Sequence, residues 1–103
     1  MTPPPPTATR VAAHVAVYAI SVAAEMAETP VQNLRVYERK GLVSPSRTAG
    51  GTRLYNPADV ERVQRIRALL DAGLNLAGIA AVLELEEEVA ALRQEVRRLR
   101  ARR

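Results

Sequence analysis

Residues 29–55 read TPVQNLRVYERKGLVSPSRTAGGTRLY, a basic helix with a capped start followed by a Gly-Gly turn that has an arginine on either side. Thr29 is placed to act as N-cap. Pro30 suits the first helical position, where its missing N–H would have no partner anyway, and Gln32 completes a Thr-x-x-Gln capping box. Val31, Leu34 and Leu42 fall where they can face a core, while Gln32, Asn33, Arg35, Arg39 and Lys40 offer donors to a polyanion. Gly41, tolerant of positive φ, ends the helix. From Arg47 to Tyr55, Gly50-Gly51 separates short segments with β-branched and aromatic residues, which predicts a hairpin with a loop of about three to five residues. A basic helix alone is usually a solvated face, and a Gly-Gly hairpin alone is usually a turn. In this order and spacing they predict a winged helix-turn-helix, mainly α with a small β-hairpin wing.

The bulk numbers narrow the field. A chain of 103 residues holds one small domain with appendages, and such a core is marginal unless a second subunit helps. There is no cysteine, so disulfides, thiolate metal sites and thiol nucleophiles are excluded. The single His14 cannot build a histidine metal site. No cofactor is expected. Fifteen Lys and Arg against eleven Asp and Glu, with a pI near 10.3, suit a nucleic-acid partner. An enzyme is not expected, because the chain has neither a phosphate-binding glycine loop nor the makings of a catalytic triad, and its clustered acids lie on one helix.

Residues 1–14 form a proline-rich tail too poor in apolar surface to fold. Its tetra-proline run could alternatively serve as a ligand for an aromatic groove. Residues 11–27 are apolar enough to raise the question of a membrane span. His14, Tyr18, Ser21 and Glu25 interrupt the run, and it is short, so a cytoplasmic, nucleoid-associated protein with no membrane contact is expected. Val17 to Ile20 reads as a short strand. Ser21 reads as N-cap of a first helix carrying Val22, Ala23, Met26 and Ala27. Asn56-Pro57-Ala58-Asp59 starts a third helix with a cap, a proline at the first position and an early acid. Its apolar stripe runs through Val60, Val63, Ile66, Leu69 and Leu70, with Arg62, Arg65 and Arg67 on a solvated face. Gly73 terminates that helix and Asn75 caps a fourth.

From Val82 onward neither glycine nor proline interrupts the pattern, and Val82, Leu85, Val89, Leu92, Val96 and Leu99 alternate at three and four residues. This narrow seam fits a coiled-coil partner, so 15–83 reads as the winged domain and 84–103 as a dimerisation helix. Valine at one seam position and leucine at the other favours a parallel dimer. The charges oppose that reading: Glu84, Glu86, Glu87 and Glu88 crowd the beginning, and Arg93, Arg97, Arg98, Arg100, Arg102 and Arg103 the end. Antiparallel pairing neutralises both blocks and is the orientation expected. A basic tail wrapping nucleic acid is the competing account of the arginines.

The run Leu34 to Leu42, followed by Arg47, Gly50-Gly51, Arg53-Leu54-Tyr55 and Asp59-Val60, resembles the DNA-binding domain of MerR-type transcription regulators over about residues 18–83. Tyr18 to Glu25 and Asn75 to Ile79 with Leu83-Glu84-Leu85 look most like the heat-shock repressor branch. The resemblance implies a homodimer on an inverted repeat of double-stranded DNA, with recognition helices in successive major grooves and the coil setting half-site spacing. It makes Gln32 and Arg35 candidates for base edges, with phosphate contact the alternative for both. Tyr37, Arg47, Arg53 and Tyr55 become phosphate contacts, with Asn33, Arg39, Lys40 and Gly51 in the same surface. Glu38 is expected to bridge to a nearby arginine, because phosphate repels a carboxylate. Relatives usually carry glycine in the turn spanned here by Ala27 to Pro30, a capping residue at Pro30 and a tyrosine at Val36. The heat-shock branch implies repression of chaperone genes with an Hsp70-type chaperone as co-repressor. With the chain ending at Arg103, no room for a ligand pocket is expected. Another regulon, such as activation or nitrogen control, and a coiled-coil interaction module with only non-specific DNA binding are the alternatives.

Overall fold

The computed structural model describes residues 16–102, and the expected proline-rich tail lies outside them. They form helix α1 (Ile20–Met26), helix α2 (Val31–Arg39), strands β1 (Ser46–Arg47) and β2 (Arg53–Leu54), helix α3 (Pro57–Asp71) and helix α4 (Leu76–Ala101). The chain divides into two compact units, one ending at Arg67 and the other beginning at Ala68.

Where a start or stop is written in adjacent residues, the structure follows it. Asn56 and Asp59 cap α3 reciprocally: the Asn56 amide donates to Asp59 Oδ2 at 2.9 Å and the Asp59 amide to Asn56 Oδ1 at 2.8 Å. Asn75 accepts from the Gly78 amide at 2.8 Å and starts α4. Gly41, at φ 74°, follows the last turn of α2. The hairpin is antiparallel, pairing Ser46 with Leu54 and Arg47 with Arg53, and leaves residues 48–52 as its loop. That loop closes on itself. The Thr48 amide donates to the Thr52 carbonyl at 2.9 Å, and the Thr52 amide donates to the Thr48 hydroxyl at 3.1 Å. Gly51 takes φ 85°, which a Cβ would strain.

The starts of α1 and α2 correct the sequence reading. Thr29 is not a cap. It is buried, and its hydroxyl donates to the Ala27 carbonyl at 2.9 Å, so Pro30 becomes the N-cap, with no side-chain hydrogen bond, and α2 begins at Val31. Gln32 therefore completes no capping box. Ser21 is not a cap either, because α1 already begins at Ile20 with Ala19 as its N-cap. The expected strand over Val17 to Ile20 shrinks to one bridge, in which Tyr18 and Tyr55 exchange backbone hydrogen bonds of 2.7 and 2.8 Å.

The face of α1 also differs from expectation. Ala23, Ala24 and Ala27 are buried, whereas Val22 and Met26 are each 44% exposed. Small side chains let α1 approach α2 closely, against which it packs. Leu34, Tyr37, Leu42, Val43, Tyr55, Val60, Val63 and Ile66 complete the core of the first unit, and in the second Leu69, Ile79 and Leu83 are buried. Two arginines expected on a solvated face are structural ties. Arg62 donates to the Leu42 carbonyl, and Arg67 holds both the Glu28 carbonyl at 3.0 Å and its carboxylate at 2.9 Å.

Glu28 takes φ 51°, a conformation that costs an L-residue roughly 1–2 kcal/mol. Its ion pair with Arg67 is exposed and offsets little of that. Glu28→Gly relieves the strain, keeps the Arg67 bond to the carbonyl and adds some freedom to the unfolded chain. The expected net result, by urea denaturation, is a gain of up to about 1 kcal/mol. A loss instead would show that the ion pair governs this turn.

Candidate nucleic-acid interface

On α2, Gln32, Asn33, Arg35, Arg39 and Lys40 are all exposed, while Leu34 and Tyr37 point into the core. Gln32, Arg35 and Arg39 are three and four residues apart and so share one face. The helix thus divides cleanly: one side is anchored, and the other carries amide and guanidinium donors with no acidic residue in its first turn.

The hairpin joins this helix through one carboxylate. Glu38 Oε2 accepts from Arg47 Nη2 at 3.0 Å, and Glu38 Oε1 accepts from Arg53 Nε at 2.5 Å. Arg47 also reaches the Gly51 carbonyl at 3.2 Å. The Arg47 and Arg53 side chains are 48% and 29% exposed and that of Glu38 is 17% exposed, so the acid sits beneath two guanidiniums that remain open to solvent. Partial burial pushes the Glu38 carboxyl upward, but the Arg53 hydrogen bond and the charges of Arg53 and Arg47 outweigh it. The net effect is to hold the group below the ordinary carboxylate range. The bridging role expected for Glu38 is borne out, with two partners instead of one.

Two residues expected to contact phosphate have largely buried side chains. Tyr37 is 3% exposed and Tyr55 is wholly buried, its hydroxyl without a hydrogen-bond partner. Burial, then the neighbouring Glu38 charge, pushes the Tyr55 phenol further up, so it stays neutral. Both tyrosines build the core under the surface they were expected to line. Their polar tips suggested a ligand contact, but the aromatic ring is the most apolar bulk this unit has, and the core takes it. Gly51 lies in the loop between the two arginine arms and is exposed.

Along α4, Leu85, Val89, Leu92, Val96 and Leu99 are 44–59% exposed. Two shallow grooves run beside them, one lined by Val82, Leu85, Val89 and Ala90 with Glu86 and Arg93, the other by Val89, Leu92 and Val96 with Arg93, Arg97 and Arg100. The charges flanking this seam change sign along the helix, and Glu95 pairs with Arg98 on the same helix at 2.5 Å. Among the described residues, no helix is long and apolar enough to cross a membrane, and no group of three or more His, Cys, Asp or Glu could hold a metal ion.

A short helix pair, an exposed basic second helix and an arginine-bearing hairpin define a winged helix-turn-helix. Residues 18–86 match the MerR HTH family of regulatory proteins, and the chain belongs to that family. It is 48% identical over 86 residues to the heat shock protein HspR of Streptomyces coelicolor, covering 82% of this chain and 57% of that protein. The chain thus spans little more than half the length of that curated relative. A MerR family transcriptional regulator from Bacillus cereus has a similar structure, with a TM-score of 0.63 at 26% identity over 78% of this chain and 71% of that one. HiNmlR, a MerR family regulator lacking the sensor domain and solved bound to promoter DNA, gives a TM-score of 0.64 at 21% identity over 84% and 73% of the two chains. At that identity the likeness concerns the fold. Family and relatives are transcription regulators, not enzymes.

Two measurements check the buried groups. Tyr55→Phe removes an unsatisfied hydroxyl and is expected to be neutral or slightly stabilising, whereas Tyr55→Ala should cost about 3–5 kcal/mol. For Glu38, a folded pKa held below the unfolded one gives stability that is present above the unfolded value and lost as pH falls through the folded value. The stability gap between wild type and Glu38→Gln, about 1–2 kcal/mol at neutral pH, should therefore close in acid.

Proposed function

We propose that this chain grips double-stranded DNA as a homodimer, each α2 entering a major groove of an inverted repeat and each hairpin lying against the flanking phosphates. The observation that carries this reading is an exposed helix α2, with Gln32, Arg35 and Arg39 on one face, whose last turn holds Arg47 and Arg53 of the wing through Glu38. Gln32 and Arg35 are the candidates for base edges. Arg39, Lys40, Arg47 and Arg53 hold phosphates, with Gly51 letting the wing's tip turn tightly. The finer reading is a cytoplasmic, nucleoid-associated repressor of heat-shock and chaperone genes, with an Hsp70-type chaperone as co-repressor. Its support is the likeness to HspR.

The seam of α4 supplies the second copy. Five half-exposed apolar side chains gain of order 1 kcal/mol apiece when covered, and the acidic start and basic end of the helix neutralise each other only in an antiparallel pair. An antiparallel register that closes the whole seam sets Val82 against the partner's Leu99, Leu85 against the partner's Val96 and Val89 against the partner's Leu92.

Selection of bound duplexes from random DNA at stated salt should return an inverted repeat, and recovery of unrelated sequences would reject the reading. Arg35→Ala should lose roughly 1–3 kcal/mol of discrimination, while Arg47→Ala should weaken all duplexes alike and flatten the salt slope by about one unit. With no native cysteine, orientation can be read by a short thiol cross-linker. A mixture of Leu85→Cys and Val96→Cys should couple. Coupling of Leu85→Cys to itself would mean a parallel coil.

A further inference from the structure

We propose that Glu38 is a positioning residue for DNA binding, a carboxylate that strengthens the grip on a polyanion by fixing the two arginines that make it. The inference rests on the DNA-binding reading above and assigns Glu38 a part in it. Arg47 and Arg53 are directly opposite in the antiparallel register, so their side chains leave the same face of the hairpin and their charges repel. Strands of two residues have little of their own to resist that repulsion. Glu38 answers it from the last turn of α2, giving one oxygen to each guanidinium.

The three groups together carry a net charge of +1. A single arginine on the hairpin would have satisfied Glu38 with no excess. The second leaves uncompensated positive charge on a surface where both guanidiniums keep solvent access and the acid is mostly covered. Glu38 uses only one guanidinium nitrogen of each arginine, so the remaining N–H donors of Arg53 stay available. Arg47 spends one further nitrogen on the Gly51 carbonyl. Long, rotamer-rich side chains lose freedom on binding a phosphate, and holding them beforehand removes that cost in advance. The same bonds fix the wing to the recognition helix, so phosphate contact by one sets the register of the other.

Electrostatics and positioning predict opposite signs for one substitution. Taking a negative charge away from a phosphate-binding surface should tighten binding if charge alone matters. If Glu38 positions, Glu38→Gln should weaken binding to operator and random duplexes by a similar factor, roughly three- to tenfold. Repeating the substitution in an Arg47→Gln, Arg53→Gln background supplies the readout that a merely structural role would not share. There the weakening should vanish, because nothing remains to be positioned. Glu38→Asp, which keeps the charge but cannot span both arginines, should fall between wild type and Glu38→Gln, and it carries the test if the glutamine variant does not fold. Unchanged or tighter binding by the glutamine variant, or equal weakening in the arginine-free background, would overturn the proposal and leave the DNA-binding reading intact. Failure of the wild-type protein to bind any duplex would instead reject that reading itself.

Discussion

The carboxylate of Glu38 is the interaction on which the exposed half of this fold depends. A hairpin of two residues per strand cannot persist by its ladder alone, and this one carries two facing cations. It is held at two places. At its base, Tyr55 pairs through the backbone with Tyr18, and on its face the arginines converge on the end of α2. Both anchors come from the helix pair and the residues before it, so the wing has an orientation only because α1 and α2 are already packed.

That dependence separates what could be read in the sequence from what could not. Asn56, Asn75, Gly41 and the Arg47 to Arg53 turn were legible because each is decided within four or five residues, by capping geometry or by a backbone angle. Thr29 and Ser21 have the same capping chemistry, yet neither caps. Thr29 is drawn into the core of the helix pair and turns its hydroxyl back to Ala27, while the Tyr18–Tyr55 bridge moves the start of α1 ahead of Ser21. Burial of Thr29 and the long-range bridge to Tyr55 are tertiary facts that capping chemistry alone does not record. The burial of Tyr37 and Tyr55 went unread for a related reason: a unit with no phenylalanine or tryptophan must fill its interior with the tyrosines it has.

The alanines of α1 show the same trade in another form. The apolar positions expected on this helix were Val22, Ala23, Met26 and Ala27; Ala23 and Ala27 are buried, with Ala24 beside them, while Val22 and Met26 are not. Close helix packing favours the smallest side chains, and the larger ones are left at the edge. The short turn that follows then places a glutamate at positive φ, where Arg67 bonds both its carbonyl and its carboxylate. Strain in the turn and close packing of the pair are two consequences of one choice, which is to bring α2 up against α1 and present its outer face without distortion.

The long helix poses the opposite problem, since nothing among the described residues of the chain explains its outer surface. A helix of 26 residues needs apolar residues only where it is covered, and Ile79 and Leu83 meet that need near its start. Beyond them, leucine and valine continue at the same spacing into water, flanked by acids and then by arginines. A solitary helix would gain more from placing lysine or glutamate at those positions, and from interleaving its charges at three- and four-residue spacing, than from segregating them into blocks. Segregation lowers the energy only if another helix brings the complementary block alongside. For a second copy of the same chain, that requires the two helices to run in opposite directions. Valine and leucine at alternating seam positions favour a parallel pair in long coils, where many layers accumulate the preference. Here the seam is under three heptads, so few layers oppose two whole blocks of charge, which is the ground for proposing the antiparallel direction.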